Sequence, residues 1–202
     1  MIKQIKVGAL RTNCYIVYNN NEAIIVDPGY ADEQISSFID ENKLKVKFIF
    51  LTHCHFDHIL GAKWLKEKYS APIACIDKEK DNINDENVNL SLMMLGEKFT
   101  IECDKVFFEN DEIEVGNLNF KVIHTPGHTS GGSSLYGDGI LISGDTLFSD
   151  CFGRCDLPTS NMSQIIKSIK EKLYVLPPET VVYPGHGEIT TIGNSNVLED
   201  MY

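Results

Sequence analysis

Residues 52–61 read Thr-His-Cys-His-Phe-Asp-His-Ile-Leu-Gly and set His53, His55, Asp57 and His58 close together. Ordinary packing gives little reason for such a density of titratable side chains. In an extended backbone alternate side chains share a face, so His53 and His55 point one way and Cys54 the other. Asp57 and His58 stand where an apolar helical pattern begins (Ile59, Leu60, Trp64, Leu65), which puts them on the first turn of a helix, facing a second position. Neutral imidazole and carboxylate are donors that zinc, iron and manganese accept, and zinc takes about four of them at roughly 2.0–2.2 Å. One stretch does not fill two such sites. Further donors are expected from glycine-flanked loops: His128 in TPGHTSGG, Asp145 in SGDTLF and His186 in YPGHGE.

The order HxHxDH, GH, GD, PGHG resembles the metallo-β-lactamase superfamily. Carried over residue by residue, that resemblance implies a first metal held by His53, His55 and His128 and a second held by Asp57, His58 and His186. Asp145 would bridge the two, and Asp57 and Asp145 would be the catalytic carboxylates. The segments DPG at 27–29, GDTLF at 144–148, GRCDLP at 153–158 and VVYPGHGEITTIG at 181–193 are most similar to small glyoxalase-II-like hydrolases and their persulfide dioxygenase relatives. The cofactor implied is zinc, two ions per chain, with iron or manganese as alternatives.

The 202 residues, 43% hydrophobic and 23% charged, have the composition of a globular chain that buries one substantial core, and one domain over 1–202 is expected. A net charge of -11 without a lysine or arginine run argues against a surface that tracks phosphates, so a nucleic-acid partner is not expected. No segment approaches the ~20 apolar residues needed to span a bilayer, nor is there a basic start followed by an apolar core. A cytoplasmic protein with no membrane partner is therefore expected. Its six cysteines lack a close-spaced framework and are read as reduced thiols, Cys151 and Cys155 included.

Along the chain, β-branched and aromatic runs predict antiparallel strands at 2–7, 14–18 and 23–26, a helix near 32–42 and a buried strand at 46–51 that delivers the histidine motif. One helix is expected over 57–69, then a strand at 72–76 and an acidic, asparagine-rich loop whose Met93, Met94 and Leu95 form a satellite of the core, with a methionine-lined substrate lid as the alternative. Strands at 105–108, 112–115, 118–124, 133–136, 140–143 and 180–183 follow, with a helix at 162–174 capped by Asn161 and Gln164. Each candidate ligand thus follows a strand. Two such halves of strands bracketed by helices predict a four-layer αββα sandwich, the metallo-β-lactamase fold, with the site at one edge between the sheets.

Two cations roughly 3.5 to 4 Å apart hold a bridging hydroxide at neutral pH and polarise a carbonyl beside it. The expected reaction is hydrolysis of a small acyl thioester, as in hydroxyacylglutathione hydrolases, without strict dependence on glutathione. A mononuclear non-haem iron persulfide dioxygenase is the alternative. Asp27 is expected either to orient a ligand histidine or to serve as a turn residue. Arg154 and Asp156 are expected either as a surface ion pair or, as favoured here, near the metals, where Arg154 holds a substrate carboxylate or orders the Asp145 loop.

Overall fold

The computed structural model describes residues 1–198. Its N-terminal meander, β1 (Ile2–Val7), β2 (Thr12–Asn19) and β3 (Glu22–Val26), is antiparallel, as the alternating runs require. Helix α1 (Glu33–Glu41), capped by the Asp32 carboxylate on the Gln34 amide, then carries the chain back to β4 (Lys45–Phe50), parallel to β3. After α2 (Phe56–Ile59) and α3 (Ala62–Tyr69) come β5 (Ile73–Ile76), α4 (Ser91–Leu95) and β6 (Lys105–Phe107), which complete a six-stranded sheet in sequence order.

The second sheet mirrors the first. Its strands β7 (Glu112–Val115), β8 (Leu118–His124), β9 (Ser133–Gly137) and β10 (Ile140–Gly144) pair antiparallel, and α5 (Met162–Ser168) crosses to β11 (Val181–Pro184), parallel to β10. The short β12 (Thr190–Thr191) closes the edge.

Burial explains why the sheets stack. Tyr15, Val17, Ile24, Phe48 and Phe50 of the first sheet meet Phe120, Val122, Leu135 and Ile142 of the second in one apolar layer. The outer face of the first sheet (Ile16, Ile25, Ile49) is covered by Ile35 and Ile39 of α1 and Leu65 of α3. That of the second (Leu141, Val182) is covered by Ile165, Ile169 and Leu173. The result is the four-layer αββα sandwich. The C-terminal ends of β3, β4, β8, β10 and β11 deliver Asp27, the HxHxDH segment, His128, Asp145 and His186 respectively.

Local readings depart from the structure in two places. The helix expected over 57–69 is broken at Leu60–Gly61, because the Gly61 amide donates to Pro28 O (2.7 Å). A Cβ at Gly61 would stand 2.3 Å from Tyr30 O, so the 28–30 turn needs the space at this break. Met93, Met94 and Leu95 are exposed rather than part of a satellite core. The five-residue α4 is anchored instead through Asn89, Leu90 and Ser91, which are buried, and its outer turn faces solvent. The helix expected over 162–174 runs as α5 and continues through a wider turn, Ile169–Leu173.

Phe120 is fully buried between the sheets, and emptying its site removes contacts from both. Phe120→Ala is expected to lower unfolding free energy by about 3–5 kcal/mol in denaturant titration. A loss below ~1 kcal/mol would contradict the inter-sheet layer as the principal core.

Candidate metal centre

Residues 52–55 leave β4 without a strand partner and bend at Thr52 and His53, so the amide protons here and at the start of α2 need other acceptors. Thr52 N donates to Asp27 Oδ1 (2.8 Å), Cys54 N to Glu79 Oε1 (2.8 Å) and Phe56 N to Asn89 O (2.8 Å). Held this way, Cys54 packs into the apolar core beneath, while His53 and His55 face the site. The helical turn of α2 then presents Asp57 and His58.

Two groups of donors result. Ring nitrogens of His53, His55 and His128 lie within 4.8 Å of one another, as do donor atoms of Asp57, His58 and His186. In the first group, His55 Nδ1 faces His128 Nε2 at 2.9 Å. His128 Nδ1 donates to Arg154 O (2.9 Å), which fixes its tautomer and leaves Nε2 free to coordinate. In the second, His58 Nδ1 donates to Asp27 Oδ2 (3.0 Å), and its Nε2 faces His186 Nε2 at 3.2 Å. Asp57 Oδ2 accepts from Thr12 Oγ1 (3.0 Å) and lies 3.1 Å from His186 Nε2. Asp145 stands between the groups: its carboxylate is 3.5 Å from His128 Nε2, 3.4 Å from His58 Nε2 and 3.7 Å from His186 Nε2.

Asp27, His53 and His58 also come within 4.8 Å of one another. Asp27 is nevertheless an orienting group, because Thr52 N occupies one oxygen while Thr52 Oγ1 (2.6 Å) and His58 Nδ1 share the other. The Thr52 hydroxyl also lies 3.1 Å from His53 Nδ1, so Asp27 reaches both donor groups through one relay. Of the two roles expected for Asp27, its side-chain bonds match the first: they reach the His58 ring directly and His53 through Thr52.

The charges are arranged unevenly. Burial, and then the neighbouring imidazoles, hold His53 and His55 well below their ordinary pKa, so both stay neutral donors. Burial also opposes a charge on His58, yet the carboxylates of Asp145, Asp57 and Asp27 push it up to about 10. His186 is likewise raised against its burial by Asp57 and Asp145. Asp57 is held well below the usual carboxylate range, since His58, His186 and Thr12 outweigh its burial. The protein thus builds a pocket that attracts positive charge.

Metal ions fit the donors present. His53 Nε2, His55 Nε2 and Asp145 Oδ1 are buried without a protein hydrogen-bond partner, an arrangement that costs roughly 1–3 kcal/mol per group unless something else satisfies it. The remaining donors are neutral imidazoles and carboxylates, which suit zinc or iron equally.

The structure brings the seven expected ligands together and treats the 153–156 loop differently from them. Arg154 Nε and its Nη2 donate to the two oxygens of Asp156 (2.7 and 2.8 Å), and both side chains are mostly exposed. The surface ion pair is therefore what these two side chains make. The guanidinium is taken up by the carboxylate two residues along, and the loop touches the site through the Arg154 carbonyl on His128. Thr12, Glu79 and Asn89 also support the site, and no local pattern marks them because each acts across a long sequence separation. The six cysteines are free thiols. Among the described residues, no helix is long and apolar enough to cross a membrane.

Residues 7–186 match the family model described as the metallo-beta-lactamase superfamily. The probable metallo-hydrolase YqgX of Bacillus subtilis is 35% identical, over 94% of this chain and 92% of its own. The hydroxyacylglutathione hydrolase GloC of Haemophilus influenzae is 33% identical, over 95% and 93%. Among solved structures, the BLEG-1 B3 metallo-beta-lactamase superposes with a TM-score of 0.90 at 36% identity, covering 99% of this chain and 97% of that one. TTHA1623 in a di-iron-bound form gives 0.82 at 29%, covering 98% and 96%. ETHE1 from Myxococcus xanthus gives 0.75 at 28%, covering 96% and 80%.

Gly185 supplies a steric test of this geometry. A Cβ there would stand 2.1 Å from Asp145 Oδ1 and 2.7 Å from His58 Cε1, so the substitution acts through space at the site. Gly185→Ala is expected to keep its circular dichroism spectrum and to lose at least half of the metal that the parent protein carries. Parent-level metal in elemental analysis would contradict the placement of Asp145 and His58.

Proposed function

The chain belongs to the metallo-beta-lactamase superfamily, and on that premise we propose that it is a binuclear metal-dependent hydrolase that cleaves a small acyl thioester. The observation that carries this reading is Asp145, which faces both donor groups with one oxygen unpartnered. His53, His55 and His128 would hold one ion, and Asp57, His58 and His186 the other, with Asp145 shared. Bound there, a pair of divalent cations supplies hydroxide at neutral pH and an electrophilic contact for a carbonyl oxygen.

The protein's own groups prepare that chemistry. Asp27 and the Arg154 carbonyl fix the tautomers of His58 and His128, so that Nε2 of each is presented to the site. Thr12 and His186 hold the Asp57 carboxylate in place. The ring N–H groups of His58 and His128 are committed to these partners and do not serve as acids, which suits a leaving group that departs unprotonated. A thiolate is such a group, because a thiol has a pKa of about 8.5. The leaving nitrogen of a lactam is far more basic and needs a proton. Similarity to GloC supports the thioester assignment. A second reading, a mononuclear iron persulfide dioxygenase, draws on the likeness to ETHE1, since two histidines and one carboxylate suffice for such an iron.

The test supplies S-lactoylglutathione, a thioester of another small thiol, and a β-lactam to metal-loaded protein. Thioester cleavage is expected, lost on chelation and restored by metal, with comparable or better rates on the non-glutathione thioester. Asp145→Ala should lower kcat/KM by more than the roughly 10–100-fold of an outer-sphere change, and should weaken both metals. Oxygen uptake from glutathione persulfide by the iron-loaded form, or β-lactam turnover, without thioester cleavage in either case, would overturn the assignment.

A further inference from the structure

Glu79 lies beyond β5 in the short turn Asp77–Glu79, far in sequence from every expected ligand, and its side chain is fully buried. A buried carboxylate is costly unless its oxygens are satisfied, so what it bonds to shows what it is for. Oε1 accepts the Cys54 amide (2.8 Å), the peptide N–H between His53 and His55. Oε2 accepts from Asn82 Nδ2 (2.7 Å), which also donates to Ser130 Oγ (3.0 Å), two residues after His128. The 128–132 loop closes over this point: a Cβ on Gly131 would stand 2.3 Å from Glu79 Oε2. One carboxylate thus ties together the two loops that carry His53, His55 and His128.

We infer that Glu79 is the positioning residue of the first metal site, its two oxygens setting the separation between the HxH segment and the His128 loop. This rests on the ligand assignment proposed above. Asp27 does the equivalent work for the other site, since it holds the Thr52 amide and the His58 ring. The two carboxylates take alternate amides of the same unpaired segment, one on either side of His53. Glu79 touches no reacting group, so its influence on catalysis passes through the three imidazoles.

The experiment titrates metal-free protein with Co(II) and follows visible absorption, whose ligand field differs between three imidazoles with the shared Asp145 and two imidazoles with Asp57 and the shared Asp145. Circular dichroism and thermal melting of the metal-free variants check folding. Glu79→Asp keeps the charge and retracts the oxygens by ~1.5 Å, out of reach of the Cys54 amide. It is expected to need roughly 10–100-fold more free metal to fill the first site, with the second unchanged. Glu79→Gln keeps an oxygen for Cys54 but sets its NH2 against the Asn82 donor, so it is expected to fall between the parent and Glu79→Asp. Parent-like titration of Glu79→Asp, equal weakening of both sites, or a loss in Glu79→Gln as large as in Glu79→Asp would each overturn the inference, the last in favour of charge over position. A parent protein that never fills two sites would overturn the ligand assignment itself, and this inference with it.

Discussion

Asp27, buried at the end of β3, accepts the Thr52 amide on one oxygen and both the Thr52 hydroxyl and the His58 Nδ1 proton on the other. Its φ of 50° lies in the left-handed region, a conformation that costs on the order of 1–3 kcal/mol for a residue other than glycine. That conformation directs the side chain across the end of β4, where the chain leaves the sheet and its amides have no strand partner. The bonds made there offset the strain and fix the first histidine of the motif relative to the last. Together with the bonds from Cys54 N to Glu79 and from Phe56 N to Asn89, they hold the segment between Leu51 and Phe56 in one conformation. The convergence of the remaining donors depends on that hold, because the loops after β8, β10 and β11 close against it.

The fold adds a second constraint, which is electrostatic. Three carboxylates surround the fully buried His58, while His53 and His55 sit among other imidazoles and stay neutral. Such a pocket is stable only when positive charge balances the carboxylates. A proton on His58 contributes to this in the protein alone, and divalent cations would do so with the donors already oriented. Glycine at 185 lets Asp145 approach both groups, since any larger side chain would occupy its place.

Much of this was legible in the sequence, for local reasons. The HxHxDH spacing maps onto a segment that leaves β4 with His53 and His55 toward the site and Cys54 toward the core, followed by a helical turn. Strand positions followed from β-branched runs, and the layers followed from two halves of strands bracketed by helices. What could not be read locally were the partners. Glu79 looks like one more charge in the acidic 77–86 stretch until β5 places it beneath Cys54. The break at Gly61 depends on a turn more than thirty residues earlier (61 − 28 = 33). Met93 and Met94 read as core because they are apolar, but the buried amides and hydroxyls of Asn89 and Ser91 anchor that helix. Arg154 reads as a site residue from its motif, and Asp156, two positions on, takes its guanidinium.

Chemistry is therefore better specified than substrate. The ligand geometry is built from strand ends and buried bonds, whereas contacts to the remote parts of a substrate would come from exposed loops. The measurement that most directly tests the central claim is anomalous diffraction from crystals of the metal-loaded protein, collected at the absorption edge of the bound metal. Two peaks roughly 3.5 to 4 Å apart are predicted, one among His53, His55 and His128, the other among Asp57, His58 and His186, with Asp145 contacting both. A single peak at full occupancy in an active crystal form, or peaks away from Asp145, would contradict it.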